Sequence, residues 1–150
     1  MRVMVLVKSN PEAEQANYAD FADEFAAMGR YNEELVKAGI MLAGEGLAPS
    51  SEGKRVAFGP EGGSDSRVID GPFAEAKELI GGFWIWQVSS MDEAVEWLKR
   101  APFKDATIEI RRIHDASDFE NVLPDELVEH ENKLRAQVAQ QQAQQQAETK

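Results

Sequence analysis

The stretch Gly82-Phe83-Trp84-Ile85-Trp86-Gln87-Val88 decides how this chain folds. Side chains alternate across a strand, so Phe83 and Ile85 point one way while Trp84, Trp86 and Val88 point the other. Both faces of the strand are apolar and both need cover. The run at residues 2–8 repeats the pattern, with Val3, Val5 and Val7 against Met4 and Leu6. Two helical patterns accompany these strands, enough to cover one face of a four-stranded sheet and not both. An uncovered second face would be a large contiguous apolar patch, which soluble monomers seldom show. The expectation is a homodimer packed sheet to sheet, with help from an inserted hairpin or a C-terminal helix.

Working outward, a polar loop through Asn10, Pro11 and Glu12 leads to a helix expected over residues 17–38, where Tyr18, Phe21, Phe25, Met28, Asn32, Leu35 and Val36 recur at three- and four-residue spacing. Gly39 is placed to cap it. A strand over residues 40–47 follows, its glycines suggesting a bulge or a close approach. Residues 54–58 and 66–69 read as a hairpin joined by the Gly- and Pro-rich loop 59–65. The segment after Pro72 reads as irregular rather than as a short helix. Ser90-Met91-Asp92-Glu93 is a capping box, and Ala94, Val95, Trp97 and Leu98 supply the buried face of the second helix, which Pro102 stops. Residues 107–113 alternate cleanly and close the domain as a strand near an edge. The domain is expected over residues 1–113, followed by an acidic connector at 114–124 and a helix-capable, Gln/Ala-rich tail at 125–150 whose apolar stripe is too thin to bury much.

Composition narrows the partners. Sixteen basic against 27 acidic residues leave a net charge of −11, unsuited to phosphate backbones or anionic lipid. With no cysteine there is no disulfide, thiolate metal site or Cys nucleophile. The N-terminal apolar run is too short for a signal or a membrane span, so a cytoplasmic protein is expected. No phosphate loop is present, and His114 and His130 do not make a recognisable ligand set, so neither a metal nor another cofactor is expected.

The candidate site centres on Asp70-Gly71-Pro72-Phe73. Pro72 fixes φ and restricts Gly71, which holds Asp70 at the end of an extended segment in a bend. Its carboxylate either serves a site or bonds the backbone of its own turn. Glu45 alternates with Met41, Ala43 and Leu47, which places it on an apolar face where a carboxyl must be paired, bonded or protonated. It either converges with Asp70 on a pocket, or bends out to solvent or pairs with Arg67 or Lys77. Those two cations either neutralise a ligand or pair with Glu75, Glu78 or Asp70. His114, at the end of a strand, is a proton-transfer candidate. Phe73 reads as an anchor for the turn.

Asp70-Gly71-Pro72-Phe73 with Glu75, Lys77-Glu78 and Gly81-Gly82-Phe83 resembles the signature of the DGPF branch of the YCII-related proteins. The resemblance extends to Gly39, Gly44-Glu45-Gly46-Leu47 and Pro49 upstream and to Asp92-Glu93-Ala94 with Trp97 downstream, about residues 1–113. It implies an α+β, ferredoxin-like sandwich that dimerises as an α+β barrel, here with a C-terminal helical extension. Members are suspected enzymes because a polar cleft holds an acidic residue and, in the YCII branch proper, a histidine. The aspartate carries over to Asp70; no histidine precedes His114, so the His–Asp pair does not. The combined reading is a homodimer that binds a small polar or carbonyl-bearing metabolite, either as a cofactor-independent acid–base enzyme or as a noncatalytic ligand-binding, regulatory or interaction module.

Overall fold

The computed structural model describes residues 1–73 and 75–149. Ala74, within the segment expected to be irregular, and Lys150, the last residue of the tail, lie outside the described residues. The chain divides into a unit from Met1 to Ile113 and a second from His114 onward.

The first unit is a four-stranded antiparallel sheet with helices on one face. Its strands are β1 (Arg2–Ser9), β2 (Met41–Gly46), β5 (Leu79–Gln87) and β6 (Glu109–Arg112), in the order β2-β5-β1-β6. Strands β3 (Lys54–Gly59) and β4 (Gly62–Asp70) form a separate two-stranded hairpin between β2 and β5. A helix joins β1 to β2 and another joins β5 to β6, which is the ferredoxin-like arrangement of an α+β sandwich.

The long strand β5 organises the core as its alternation requires. Trp84 and Trp86 are buried with Val3 and Val5 of β1 against Tyr31 and Leu35 of α2 (Ala22–Lys37) and Ala94 of α3 (Met91–Lys99). Phe83 and Ile85 lie on the opposite face beside their register partners Leu6 and Met4, and all four are half-buried. The strand begins three residues earlier than its apolar run, because Leu79 and Ile80 pair with Ser9 and Lys8 beyond a bulge at Gly81 of β5.

The α2 segment departs from the expected single helix. Asn10 accepts a hydrogen bond from Ala13 N at 2.8 Å and starts a short helix α1 (Pro11–Glu14), so the expected loop there is helical. A 3-10 turn over Tyr18–Phe21 precedes α2. The buried positions of α2 are Tyr31 and Leu35, whereas Tyr18, Phe21, Phe25 and Val36 are exposed. Tyr31 takes the inward position because its hydroxyl donates to Trp97 O at 2.8 Å, satisfying the one polar atom it would otherwise bury bare. Gly39 ends the helix at φ +71°, and Ile40 N reaches back to Leu35 O at 2.9 Å, the left-handed cap expected of glycine.

In the hairpin, Gly59 pairs with Gly62 across a two-residue turn at Pro60 and Glu61, shorter than the loop expected over 59–65. Ser90 caps α3, accepting from Glu93 N at 3.1 Å. Of the face expected to be buried on that helix, Ala94 is buried, Trp97 and Leu98 are half-buried and Val95 is exposed. The strand expected over 107–113 is limited to Glu109–Arg112.

The second unit contains a 3-10 turn at Ala116–Phe119 and the helix α4 (Asp125–Glu148), so the Gln-rich run is helical. No helix among the described residues is long and apolar enough to cross a membrane.

Candidate functional site

The Asp70–Phe73 turn is built around Ser50, which is 9 % exposed. Glu14 of α1 accepts from Ser50 N at 2.9 Å and from Ser50 Oγ at 2.5 Å. The same hydroxyl oxygen accepts from Phe73 N at 3.1 Å, so one serine ties α1, the segment after β2 and the turn together. Gly71 N donates to Gly53 O at 3.0 Å, and the Gly71–Pro72 bond that follows is cis. Glycine is required at position 71, because a Cβ there would lie 1.6 Å from Ser50 O. Phe73 is an anchor: the Arg55 guanidinium lies 3.9 Å from its ring centroid and also meets Glu75 at 3.3 Å. Beside the turn is an open cleft of about 510 Å³ whose polar lining includes Glu14, Ser50, Glu52, Arg55 and Glu78.

The sequence candidates do not gather there. Asp70 ends β4, exposed, and its carboxylate is held by Lys54, its register partner on β3, rather than by N–H groups of its own turn. Arg67 is three residues from Asp70 on β4, so alternation puts it on the opposite face of the hairpin, and it is exposed. Lys77 is exposed in the irregular segment before β5. His114 belongs to the second unit, where Nδ1 lies 3.1 Å from Asp118 Oδ2 and the ring packs on Phe119 at 5.3 Å. Its cleft there, about 440 Å³, also takes in His130, Phe119 and Leu127.

Glu45 does border a cleft in the first unit, but not on the face expected. A bulge between Met41 and Ala43 shifts the ladder, so Met41 pairs with Trp86 and Gly44 with Trp84 on the helix side, while Ala43 pairs with Ile85 and Glu45 with Phe83 on the other. Met41 and Glu45 therefore lie on opposite faces. The bulge moves one residue across and undoes simple alternation.

The cleft that Glu45 borders measures about 410 Å³ and lies between α2 and the end of the sheet. Phe25 and Met28 form the helix side and Trp84 the sheet side, with Phe103 beside them. Trp84 and Phe103 meet edge to face at 6.2 Å. Trp84 Nε1 donates to Asn32 Oδ1 at 3.0 Å. An indole nitrogen can only donate, so Asn32 is fixed with Oδ1 toward Trp84 and keeps its Nδ2 hydrogens for another acceptor. Asn32, Glu14, Ser50 and Arg55 were not singled out as site residues from sequence. Asn32 carried a signal, a polar residue in the apolar stripe of α2; Ser50 and Glu14 carried none, since their partnership spans 36 residues.

Lys8 of β1 bridges Glu78 at 3.6 Å and Glu109 at 3.1 Å, and those carboxylates push its ammonium pKa up. Of the residues around these two bridges, Glu78 lines the cleft beside the turn and Val7, next to Lys8, lines the cleft beside α2. Among the described residues no group of three or more His, Asp or Glu side chains is placed to hold a metal ion.

In comparisons with known proteins, no curated protein matches the chain. Among solved structures, 5-chloro-2-hydroxyhydroquinone dehydrochlorinase (TftG) from Burkholderia phenoliruptrix AC1100, in complex with 2,5-dihydroxybenzoquinone, is 22% identical with a TM-score of 0.43, covering 76% of this chain and 94% of that one. The model of the YCII-related domain matches residues 1–117. With that match over most of its length, the chain belongs to the YCII-related domain family.

Proposed function

We propose that this YCII-related protein is a homodimer that binds a small carbonyl- or hydroxyl-bearing metabolite in the cleft between α2 and the sheet. The observation that carries the reading is the cleft's make-up: an aromatic wall of Phe25, Trp84 and Phe103 with a half-buried Asn32 whose amide is already oriented by Trp84. A mostly apolar concavity with a few placed polar groups is the usual form of a small-molecule site. Binding ranks ahead of catalysis by Asp70, since Asp70 is engaged by Lys54 and lines neither the cleft beside the Asp70–Phe73 turn nor the cleft beside α2.

The dimer rests on the sheet face away from the helices, where Met4, Leu6, Phe83 and Ile85 make a patch within the first unit that a second copy can cover. A metabolite thermal-shift screen tests the binding reading. Ligand at 100 times its Kd stabilises by about 2.7 kcal/mol. Hits should lose their shift in Phe25→Ala, a change at a residue 57% exposed that leaves the core intact. Hits that stabilise Phe25→Ala as well as the parent refute the cleft assignment.

A further inference from the structure

We infer, on the basis of the homodimer reading, that the two copies meet with their strands antiparallel, β6 over the partner's β6, each pairing its Glu109 with the partner's Arg111. The cleft beside α2 then gains a wall from the partner. Register fixes which side chains stand on the sheet face away from the helices, because residues directly opposite in an antiparallel ladder share a face. Glu45, Phe83, Leu6 and Glu109 form one row across that face, and Ala43, Ile85, Met4 and Arg111 form the next. The middle of both rows is apolar and half-buried, while the charges sit at the sheet edges. The Glu109 and Arg111 side chains are 42% and 73% exposed, and within the chain they come no closer than 3.8 Å.

Two aligned sheets stacked face to face are related by a two-fold axis either along the strands or across them. An axis along the strands keeps each row at its own height and sets β2 over the partner's β6. Glu45 would then stand against the partner's Glu109 at both edges, a juxtaposition of like charges. An axis across the strands keeps each strand over its own copy and exchanges the two rows. Glu109 then meets the partner's Arg111, and Arg111 the partner's Glu109, across the gap of about 10 Å between stacked sheets, which these two side chains together span. Phe83 and Leu6 lie on the partner's Ile85 and Met4, so the apolar centre is covered by the same rotation. Lys8 comes toward the partner's Arg2, but its charge is already met by Glu78 and Glu109. Glu45 and Phe83 line the cleft beside α2 and also belong to the first row, so the partner's Ala43 and Ile85 close that cleft on its sheet side.

The test is sedimentation equilibrium of the full chain as parent, as Glu109→Arg, as Arg111→Glu and as an equimolar mixture of the two variants. Each variant alone sets like charges together at both edge contacts and should dimerise at least about tenfold more weakly than the parent. In the mixture opposite charges face each other again at both contacts, so heterodimers should form within about threefold of the parent's affinity. A disturbance confined to one chain is not rescued by mixing. Variants that dimerise like the parent, a mixture no tighter than its components, or tighter association of Glu109→Arg overturn the inference and leave a dimer of another geometry. A parent that is monomeric at micromolar concentration takes the homodimer reading down with it. Should Glu109→Arg, beside Lys8, not fold, Arg111→Glu decides alone: its deficit should vanish at about 1 M salt, where the repulsion is screened. A deficit that persists there overturns the pairing.

Discussion

Replacing Gly71 by alanine should be among the most damaging single-methyl changes in the first unit. The new Cβ would sit 1.6 Å from Ser50 O, 2.6 Å from Ser50 C and 3.2 Å from Gly53 O, all backbone atoms. Ordinary contact begins near 3.4 Å, so the Ser50 carbonyl and the turn must separate by about 1.8 Å, more than a hydrogen bond tolerates. The bonds in the way are Gly53 N to Ser50 O at 2.9 Å, Gly71 N to Gly53 O at 3.0 Å and Phe73 N to Ser50 Oγ at 3.1 Å. At about 1 kcal/mol net for each bond lost, the change costs about 3 kcal/mol. Urea unfolding of parent and variant reads this directly as a lower midpoint at unchanged slope. Gly29→Ala is the matched control, the same added methyl in open space on a helix, and should raise stability by about 1 kcal/mol. A Gly71→Ala variant within about 0.5 kcal/mol of the parent would show that the turn yields easily and that Ser50 does not pin it.

Further expectations follow from single contacts. Ser50→Ala removes the hydroxyl that donates to Glu14 and accepts from Phe73 N, and should cost about 2 kcal/mol in urea unfolding, against a smaller loss for the neighbouring exposed Ser51→Ala. Ser90→Ala removes the α3 cap and should cost about 1 kcal/mol, with Ser90→Asp restoring most of it. Glu93 accepts from the Ser89 hydroxyl and amide, which hold its carboxyl below the usual range. Its folded pKa is depressed, so its contribution is complete above the unfolded carboxyl value and is lost as pH falls through the folded one; acid titration of Glu93→Gln should show a shallower decline than the parent. Burial pushes the Tyr31 phenol up from its ordinary value of 10.0, so the folded state holds that proton longer and stability should fall as pH rises past that value. Tyr31→Phe, measured by unfolding midpoint against pH, should remove that alkaline decline. Sedimentation should show a dimer at micromolar concentration, and Leu6→Lys on the face away from the helices should shift it to monomer; a monomeric parent would refute sheet-to-sheet pairing.

Periodicity carried much of the fold because it acts locally. The alternation in residues 82–88 identified the central strand, its two apolar faces and the tryptophans that fill the core, and Gly39 and Ser90 marked helix ends through backbone chemistry confined to a few residues. The Asp70–Phe73 stretch was legible as a turn and as part of a family signature, and its Pro and Gly set the local backbone. What those residues touch was not legible. Ser50 reaches Glu14 across 36 residues and Phe73 across 23, and Arg55 meets Phe73 only because the hairpin returns beside the turn. A bulge of one residue in β2 decided which face Glu45 and Met41 occupy, a choice strict alternation cannot anticipate. On α2 the apolar spacing was compatible with several inward stripes, and the hydrogen bond from Tyr31 to Trp97 went with the one that buries Tyr31 and Leu35 and leaves Phe25 at the mouth of a cleft. Sequence by itself thus determined the sheet strands, the two helices that pack on them, their order and the apolar character of both sheet faces, since these follow from the period of hydrophobic burial. Only the tertiary structure decided which polar groups meet and where the cleft opens, since that depends on contacts between segments far apart along the chain.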